Sequence, residues 1–146
     1  MDYDSILANG HTLLTQAAYL YDINEVQNLI ILRADVNKQN CEGMTALMYA
    51  IEYNDFDMVS CLLDHGANVD LVEYNYSALM LAVENYFIDD CDLPMISEDY
   101  TIEEYKEECL QIIKLLLSKK PNIPNSSNNL LDLLLANILT NIANGL

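Results

Sequence analysis

Apolar residues recur at helical spacing in two matching stretches of the chain, and this pattern predicts amphipathic helices. Val26, Leu29 and Ile30 fall on one face of a helix, and the stretch that begins at Val59 repeats the same spacing. A unit of this size cannot bury its apolar stripe alone, so we expect several units to stack and cover one another. Side chains able to cap the predicted helices at their N-termini are Thr12, Asp22, Thr45, Asp55 and Ser77.

The chain repeats itself with a period of 33 residues. Residues 10–18 align with residues 43–51, and residues 26–37 align with residues 59–70 at the same offset. Each of these two copies of the repeat contains a glycine and a hydroxyl residue, then a short run with small alanines, and then a second apolar run. Self-similarity at a fixed period is typical of a repeat architecture.

The repeated pattern resembles the ankyrin repeat. The matching residues are clearest in the second copy and comprise Gly43, Thr45, Leu47, Ala50, Val59, Leu62, Leu63, Gly66 and Ala67. The family's usual Pro-Leu-His is replaced in all three copies, which removes a histidine that commonly ties neighbouring repeats. Arg33 stands where the family has a glycine at the end of the second helix, a position that is normally left-handed.

This resemblance implies an all-α ankyrin-repeat solenoid of about three helix-turn-helix repeats. We expect one domain over residues 1–146, with repeats at about 9–41, 42–73 and 74–124 and a C-terminal capping helix within 125–146. Leu131, Leu135, Ile138 and Ile142 are expected on the inner face of that helix.

The third copy is interrupted by an acidic insertion at about residues 86–104. It begins at residues 75–83, at an offset of 32, and resumes only at residues 113–123. Thr101 and Glu104 form a capping-box pattern, which predicts a lengthened second helix running to about Ser118. The insertion is either a negative lip that docks a partner or a solvated loop, and the sequence leaves both open.

The charge is strongly acidic, with 6 Lys plus Arg against 23 Asp plus Glu and a formal net charge of -17. Between Gln39 and Tyr105 there is no Lys or Arg but there are 15 carboxylates. Such a surface repels nucleic acid and attracts basic proteins, although acidity can also serve solubility alone. The chain shows no signal-peptide pattern and no run of 18 apolar residues, so we expect a cytoplasmic protein with no membrane partner, and a monomer.

Motifs of catalysis and of cofactor binding are missing from the sequence. Neither His11 nor His65 pairs with a nucleophile and an orienting group, and the four cysteines form no CxxC pair. Asp90 and Asp92 begin like a calcium loop, but Leu93 and Pro94 break the pattern. We therefore expect no enzyme activity, no cofactor and no metal.

The resemblance also implies where a partner binds, because ankyrin proteins usually use their concave side, formed by the finger tips and the exposed face of each first helix. Tyrosine beside glutamate suits a partner rich in Arg or Lys, although biased composition could also account for the tyrosines. Carried onto this chain, with the acidic lip, the expected partner-binding residues are His11, Tyr19, Leu20, Glu42, Met44, Glu52, Tyr53, Glu73, Tyr74, Tyr76, Glu84, Asn85, Asp89, Asp90 and Asp92.

The function expected from these features is capture, and neutralisation, of a basic partner protein. Small acidic ankyrin proteins of this kind resemble bacterial immunity proteins that protect against a toxin such as a nuclease. Three alternatives stay open: an adaptor or effector of an intracellular bacterium or large virus that binds a host protein, a nucleic-acid mimic that inhibits a DNA-binding enzyme, and a fragment of a longer scaffold. Fold-level analogy does not choose among them.

Overall fold

The computed structural model describes residues 2–73, 76–87 and 101–121, together with positions 136, 138 and 140. Its helices and strands, in chain order, are α1 (Leu13–Tyr19), α2 (Ile23–Ile31), α3 (Ala46–Glu52), α4 (Phe56–Asp64), β1 (Val72–Glu73), β2 (Tyr76–Ser77), α5 (Ala78–Tyr86) and α6 (Ile102–Ser118). The strands β1 and β2 pair antiparallel, with Val72 opposite Ser77. The helices form consecutive antiparallel pairs, which confirms the predicted all-α solenoid.

Side-chain capping starts the helices where the sequence predicts. Each first helix begins after a hydroxyl residue whose side chain accepts a hydrogen bond from a backbone N–H one turn ahead, and the second helices of the first two pairs begin after an aspartate that does the same. These side chains satisfy N–H groups that have no partner within the helix. The capping residues are Thr12, Asp22, Thr45, Asp55 and Ser77.

Left-handed residues end both helices of the first two pairs. The residue after the C-cap of each of these helices has a positive φ and lies at the same place in a Schellman turn. These residues are Tyr21 (φ 59°), Arg33 (φ 70°), Asn54 (φ 55°) and Gly66 (φ 87°). At Arg33, for example, its own N–H donates to the carbonyl of Ile30, and the next N–H closes the longer bond of the motif. The prediction that Arg33 occupies a left-handed glycine position is therefore confirmed.

The core runs along the stack rather than around a single centre. Helix α3 lies between α1 and α5, and the second helices pack behind the first ones. Equivalent residues of successive repeats are buried together, as in the series Leu14, Leu47 and Leu79. Ile138 is also buried against this core, as expected for the inner face of the capping helix. Ala136 and Thr140 are helical and exposed, and the other residues of that predicted helix lie outside the described part of the chain.

Side-chain amides tie neighbouring repeats where the family's histidine is absent. The Nδ2 of Asn37 donates to the carbonyl of Gly66 at 3.2 Å, and its Oδ1 accepts from the N–H of Asn68 at 2.7 Å. Gln39 Nε2 donates to the carbonyl of Val72 at 3.0 Å. Because these bonds join backbone groups of one repeat to a side chain of the previous one, they hold the register of the fingers.

The second helix of the third repeat is longer than its counterparts. Helix α6 has 17 residues, against 9 in α2 and in α4, and begins with the predicted capping box between Thr101 and Glu104. The added N-terminal turns reach back to the second repeat, where Asn54 Nδ2 donates to the carbonyl of Tyr105 at 3.4 Å. Since α5 includes Tyr86 and α6 begins at Ile102, both ends of the predicted insertion are helical, and residues 88–100 lie outside the described residues.

Candidate functional site

A groove of about 630 Å³ opens on the side of the stack formed by the first helices and the fingers. Helices α1, α3 and α5 contribute its floor, because they lie side by side, and the turns that precede α3 and α5 contribute one wall. The groove combines tyrosine rings, carboxylates and a few apolar side chains. Its lining residues are Tyr19, Glu42, Met44, Tyr49, Glu52, Tyr53, Glu73, Leu81, Glu84 and Asn85.

Five aromatic side chains form a connected cluster across the first two repeats, here called the aromatic cluster: His11, Tyr19, Tyr21, Tyr49 and Tyr53. The ring of Tyr19 lies 5.7 Å from that of Tyr49 and 6.0 Å from that of Tyr53. Tyr21 stacks on Tyr53 at 4.5 Å, and His11 lies 5.4 Å from Tyr19. Ring contacts of this kind are favourable beyond the area they bury, so each ring restricts its neighbours.

Tyr49 anchors the cluster because it is buried and its hydroxyl both accepts and donates a hydrogen bond. Its side chain is only 6% exposed. Asn40 Nδ2 donates to its hydroxyl oxygen at 3.0 Å, and the hydroxyl donates to Glu42 at 3.2 Å. Burial raises the pKa of Tyr49 to about 12, so the phenol stays protonated and keeps donating to the carboxylate throughout the neutral range.

Four carboxylates surround the tyrosines: Glu42, Glu52, Glu73 and Glu84. Partial burial raises the pKa of Glu52, and the charges of Glu73 and Glu42 raise it further. All six Lys and Arg residues fall in the described ranges, and none forms a salt bridge with these glutamates. The groove is therefore a concentrated negative site with no basic side chain to neutralise it.

The structure brings together eight of the expected partner-binding residues. These eight line one groove: Tyr19, Glu42, Met44, Glu52, Tyr53, Glu73, Glu84 and Asn85. Met44 is almost fully buried there and offers little contact area. Asn85 is tied down, because its Nδ2 donates to the carbonyl of Ile51 at 2.6 Å.

The remaining expected residues do not line the groove, or cannot be placed. Leu20 is 61% exposed but does not line the groove. His11 does not line it either, and its ring contacts those of Tyr19 and Tyr49. The expected residues that lie outside the described part of the chain, in whole or by side chain, are Tyr74, Tyr76, Asp89, Asp90 and Asp92.

Sequence reasoning missed two tyrosines of the aromatic cluster. Tyr49 occupies a repeat position that holds Gln16 in the first copy and Leu81 in the third, and this variation was the signal that could have identified it. Tyr21 is left-handed at the position that holds Asn54 in the next repeat. An aromatic residue there was a visible departure from the residues that usually occupy a left-handed position.

Stacked helical hairpins with finger turns on one edge and an exposed groove along the first helices define a helical-repeat binding protein. The chain belongs to the ankyrin-repeat family, since the family described as ankyrin repeats in three copies matches residues 8–93. Ankyrin repeats mediate protein–protein binding.

Curated relatives share a part of this chain. An ankyrin repeat protein of Acanthamoeba polyphaga mimivirus is 45% identical over 60 residues, which cover 40% of this chain and 37% of the viral protein. Ankyrin repeat domain-containing protein 40 of Mus musculus and of Homo sapiens is 43% identical over 60 residues, 40% of this chain and 16% of each relative. The matched segment thus spans well under half of each relative. Among the described residues, no helix is both long enough and apolar enough to cross a membrane.

Proposed function

We propose that the groove captures a basic partner protein and that this binding is the function of the domain. The observation that carries the proposal is the pairing of tyrosine rings with four glutamates that have no basic neighbour. Tyrosine offers a large and fairly rigid contact area, and the glutamates offer charge to Arg or Lys side chains of a partner. The net charge of -17 supports the proposal further, because it accelerates encounter with a basic surface.

The more specific form of this proposal is neutralisation of a toxin. A nuclease binds an anionic substrate and so presents a basic active site. An acidic, concave protein that covers such a site competes with the nucleic acid and blocks activity. The acidity of the groove and the sequence resemblance to immunity-type ankyrin proteins support this form.

A second candidate is an adaptor or effector that binds a host protein through the same groove. The 45% identical segment of a giant-virus ankyrin protein favours this candidate. The two candidates require the same contact surface and differ in the partner, so one experiment on the groove serves both.

The test is co-purification from the native cell followed by mass spectrometry, with a paired variant. Glu52→Ala together with Tyr53→Ala removes one carboxylate and one ring from the groove. The control with the same change in net charge is Glu107→Ala, at an exposed residue of α6. Circular dichroism checks that both variants keep the helicity of the parent chain.

We expect the parent chain and the control variant to retain a basic partner and the groove variant to lose it. Added salt should release the partner. A partner kept equally by the groove variant refutes the assignment of the groove. A recovered partner without basic character refutes the charge argument.

A further inference from the structure

We propose that the groove is selective for arginine, and that one arginine side chain of the partner lies in the groove against Tyr19 and Tyr53 with its guanidinium paired to Glu52. This inference rests on the proposed function and specifies its occupant. The alternatives, a lysine or an apolar anchor, become outcomes of the test below.

The two rings offer one flat cation a shared aromatic surface. The centroids of Tyr19 and Tyr53 are 6.0 Å apart and the rings are inclined by 59°, so the rings contact each other and leave no gap for a guanidinium between them. A cation is attracted to an aromatic face within about 6 Å of the ring centroid, so a group that lies in the groove against this pair can be within reach of both rings. Tyr19 is 47% exposed, which leaves its ring accessible from the groove.

Glu52 lines the same groove as Tyr19 and Tyr53, so its carboxylate can pair with a cation held there. Burial raises the pKa of Tyr21 and Tyr53, and the charge of Glu52 raises it further. The raised pKa of Glu52 itself reflects partial burial and the adjacent charges of Glu42 and Glu73. A cation that enters the groove relieves this repulsion, whereas a neutral side chain leaves it in place.

Several features of the groove favour guanidinium over ammonium. Guanidinium is planar, stacks on aromatic rings, is weakly hydrated and carries five N–H donors in a fixed fork. A groove with glutamates on more than one side can accept several of those donors at once, and partial burial penalises the strongly hydrated ammonium of lysine. Glu52 and Glu84, on neighbouring first helices, both line the groove and offer acceptors from two directions.

Tyr21 acts as a positioning residue in this arrangement. Its ring is 58% exposed, and it stacks on Tyr53 at 4.5 Å with an interplanar angle of 33°. Stacking restricts Tyr53 before any partner arrives, and a contact that is already ordered costs less to complete. Tyr21→Asn introduces a residue that tolerates the left-handed backbone, as Asn54 does in the next repeat. The substitution removes the ring that packs against Tyr53.

The probes are short glycine–serine peptides with one central arginine, lysine or citrulline, followed by NMR of the tyrosine ring signals. Citrulline has the shape of arginine without the charge. We expect the arginine peptide to bind about threefold to tenfold more tightly than the lysine peptide, and the citrulline peptide to cause no saturable shift. The shifts should centre on Tyr19 and Tyr53.

Single substitutions test which residues bind the arginine peptide. Glu52→Gln should weaken arginine binding about fivefold or more, while Glu107→Gln, with the same change in net charge, should leave it unchanged. Tyr21→Asn should weaken binding about twofold to threefold without reducing the arginine-to-lysine preference, because it acts through Tyr53. A purely structural role of Tyr21 would instead lower the melting temperature and leave the titration unaltered.

Equal binding of arginine and lysine peptides, or no saturable shift with any peptide, overturns the arginine inference. If the partner recovered from cells still depends on Glu52 and Tyr53 in that case, the proposed function stands. If the partner ignores the groove while the arginine preference persists, the proposed function fails and the selective site stands alone.

Discussion

Arg33 offers a direct measure of backbone strain in this stack. It ends α2 in a left-handed conformation, φ 70°, at the position where the next repeat has Gly66, φ 87°. The Arg33 side chain is exposed and forms no salt bridge with any residue that the structure describes. Replacing it by glycine therefore changes the backbone preference and little else in the folded state.

The expected gain follows from two opposing contributions. A left-handed L-residue costs about 1–2 kcal/mol relative to glycine in that conformation. Glycine in turn costs about 0.4–1 kcal/mol of stability, because it is more flexible in the unfolded chain. The net expectation is that Arg33→Gly raises the free energy of unfolding by about 0.5–1 kcal/mol, which corresponds to about 1–4 °C in melting temperature for a chain of this size.

The assay is urea and thermal unfolding followed by circular dichroism, with Arg33→Ala as the matched control. Both variants remove the same charge, so their difference isolates the backbone contribution. Gly66→Ala provides the reciprocal test, because a Cβ at Gly66 meets no atom within 4 Å and the substitution changes the backbone preference alone. It should destabilise by about the amount that separates the two Arg33 variants. Equal stability of Arg33→Gly and Arg33→Ala would refute the reasoning.

Four further predictions concern single side chains. Tyr49→Phe should lower the free energy of unfolding by about 1 kcal/mol in urea titrations, because two buried hydrogen bonds lose their shared hydroxyl. Thr101→Ala should cost about 1 kcal/mol, measured in the same way, through loss of the capping box at α6. Iodoacetamide with peptide mass spectrometry should label exposed Cys41 in the native protein and spare Cys109, whose pKa burial raises to about 12. Glu52→Gln should stabilise the free protein at neutral pH relative to the parent chain and lose that advantage in acid. The reason is that a carboxyl with a raised folded-state pKa favours folding below its unfolded-state pKa, and this contribution disappears as the pH rises through the folded-state pKa.

Local signals in the sequence were sufficient to predict where the helices begin. Ser77 and Asp55 cap helices because a side-chain oxygen beside an orphan N–H acts over a few residues, and the sequence shows both partners. The capping box at Thr101 was identifiable for the same reason. The period of 33 residues then extended a local pattern to a stack, since a repeated unit can be buried only by its neighbour.

The groove was harder to anticipate because it depends on contacts between repeats. Tyr49 was not expected in the site, although it contacts three other members of the aromatic cluster. Its neighbours are His11, which precedes α1, Tyr19 at the end of α1, and Tyr53 just after its own helix. The ring distances between repeats follow from how closely the helices approach rather than from spacing along the chain. The hydrogen bonds by which Asn37 and Gln39 tie neighbouring repeats were equally hard to anticipate, because each bond joins residues about one repeat apart.

A left-handed aromatic residue and a region of charge repulsion both lie at the groove, and they support a binding role there. Tyr21, a member of the aromatic cluster, has a left-handed backbone at the position where the next repeat has Asn54. Glu52 is partly buried beside other carboxylates, which raises its pKa and disfavours its charged form. Repulsion of this kind persists at surfaces that have another use, and a cation that binds in the groove relieves it.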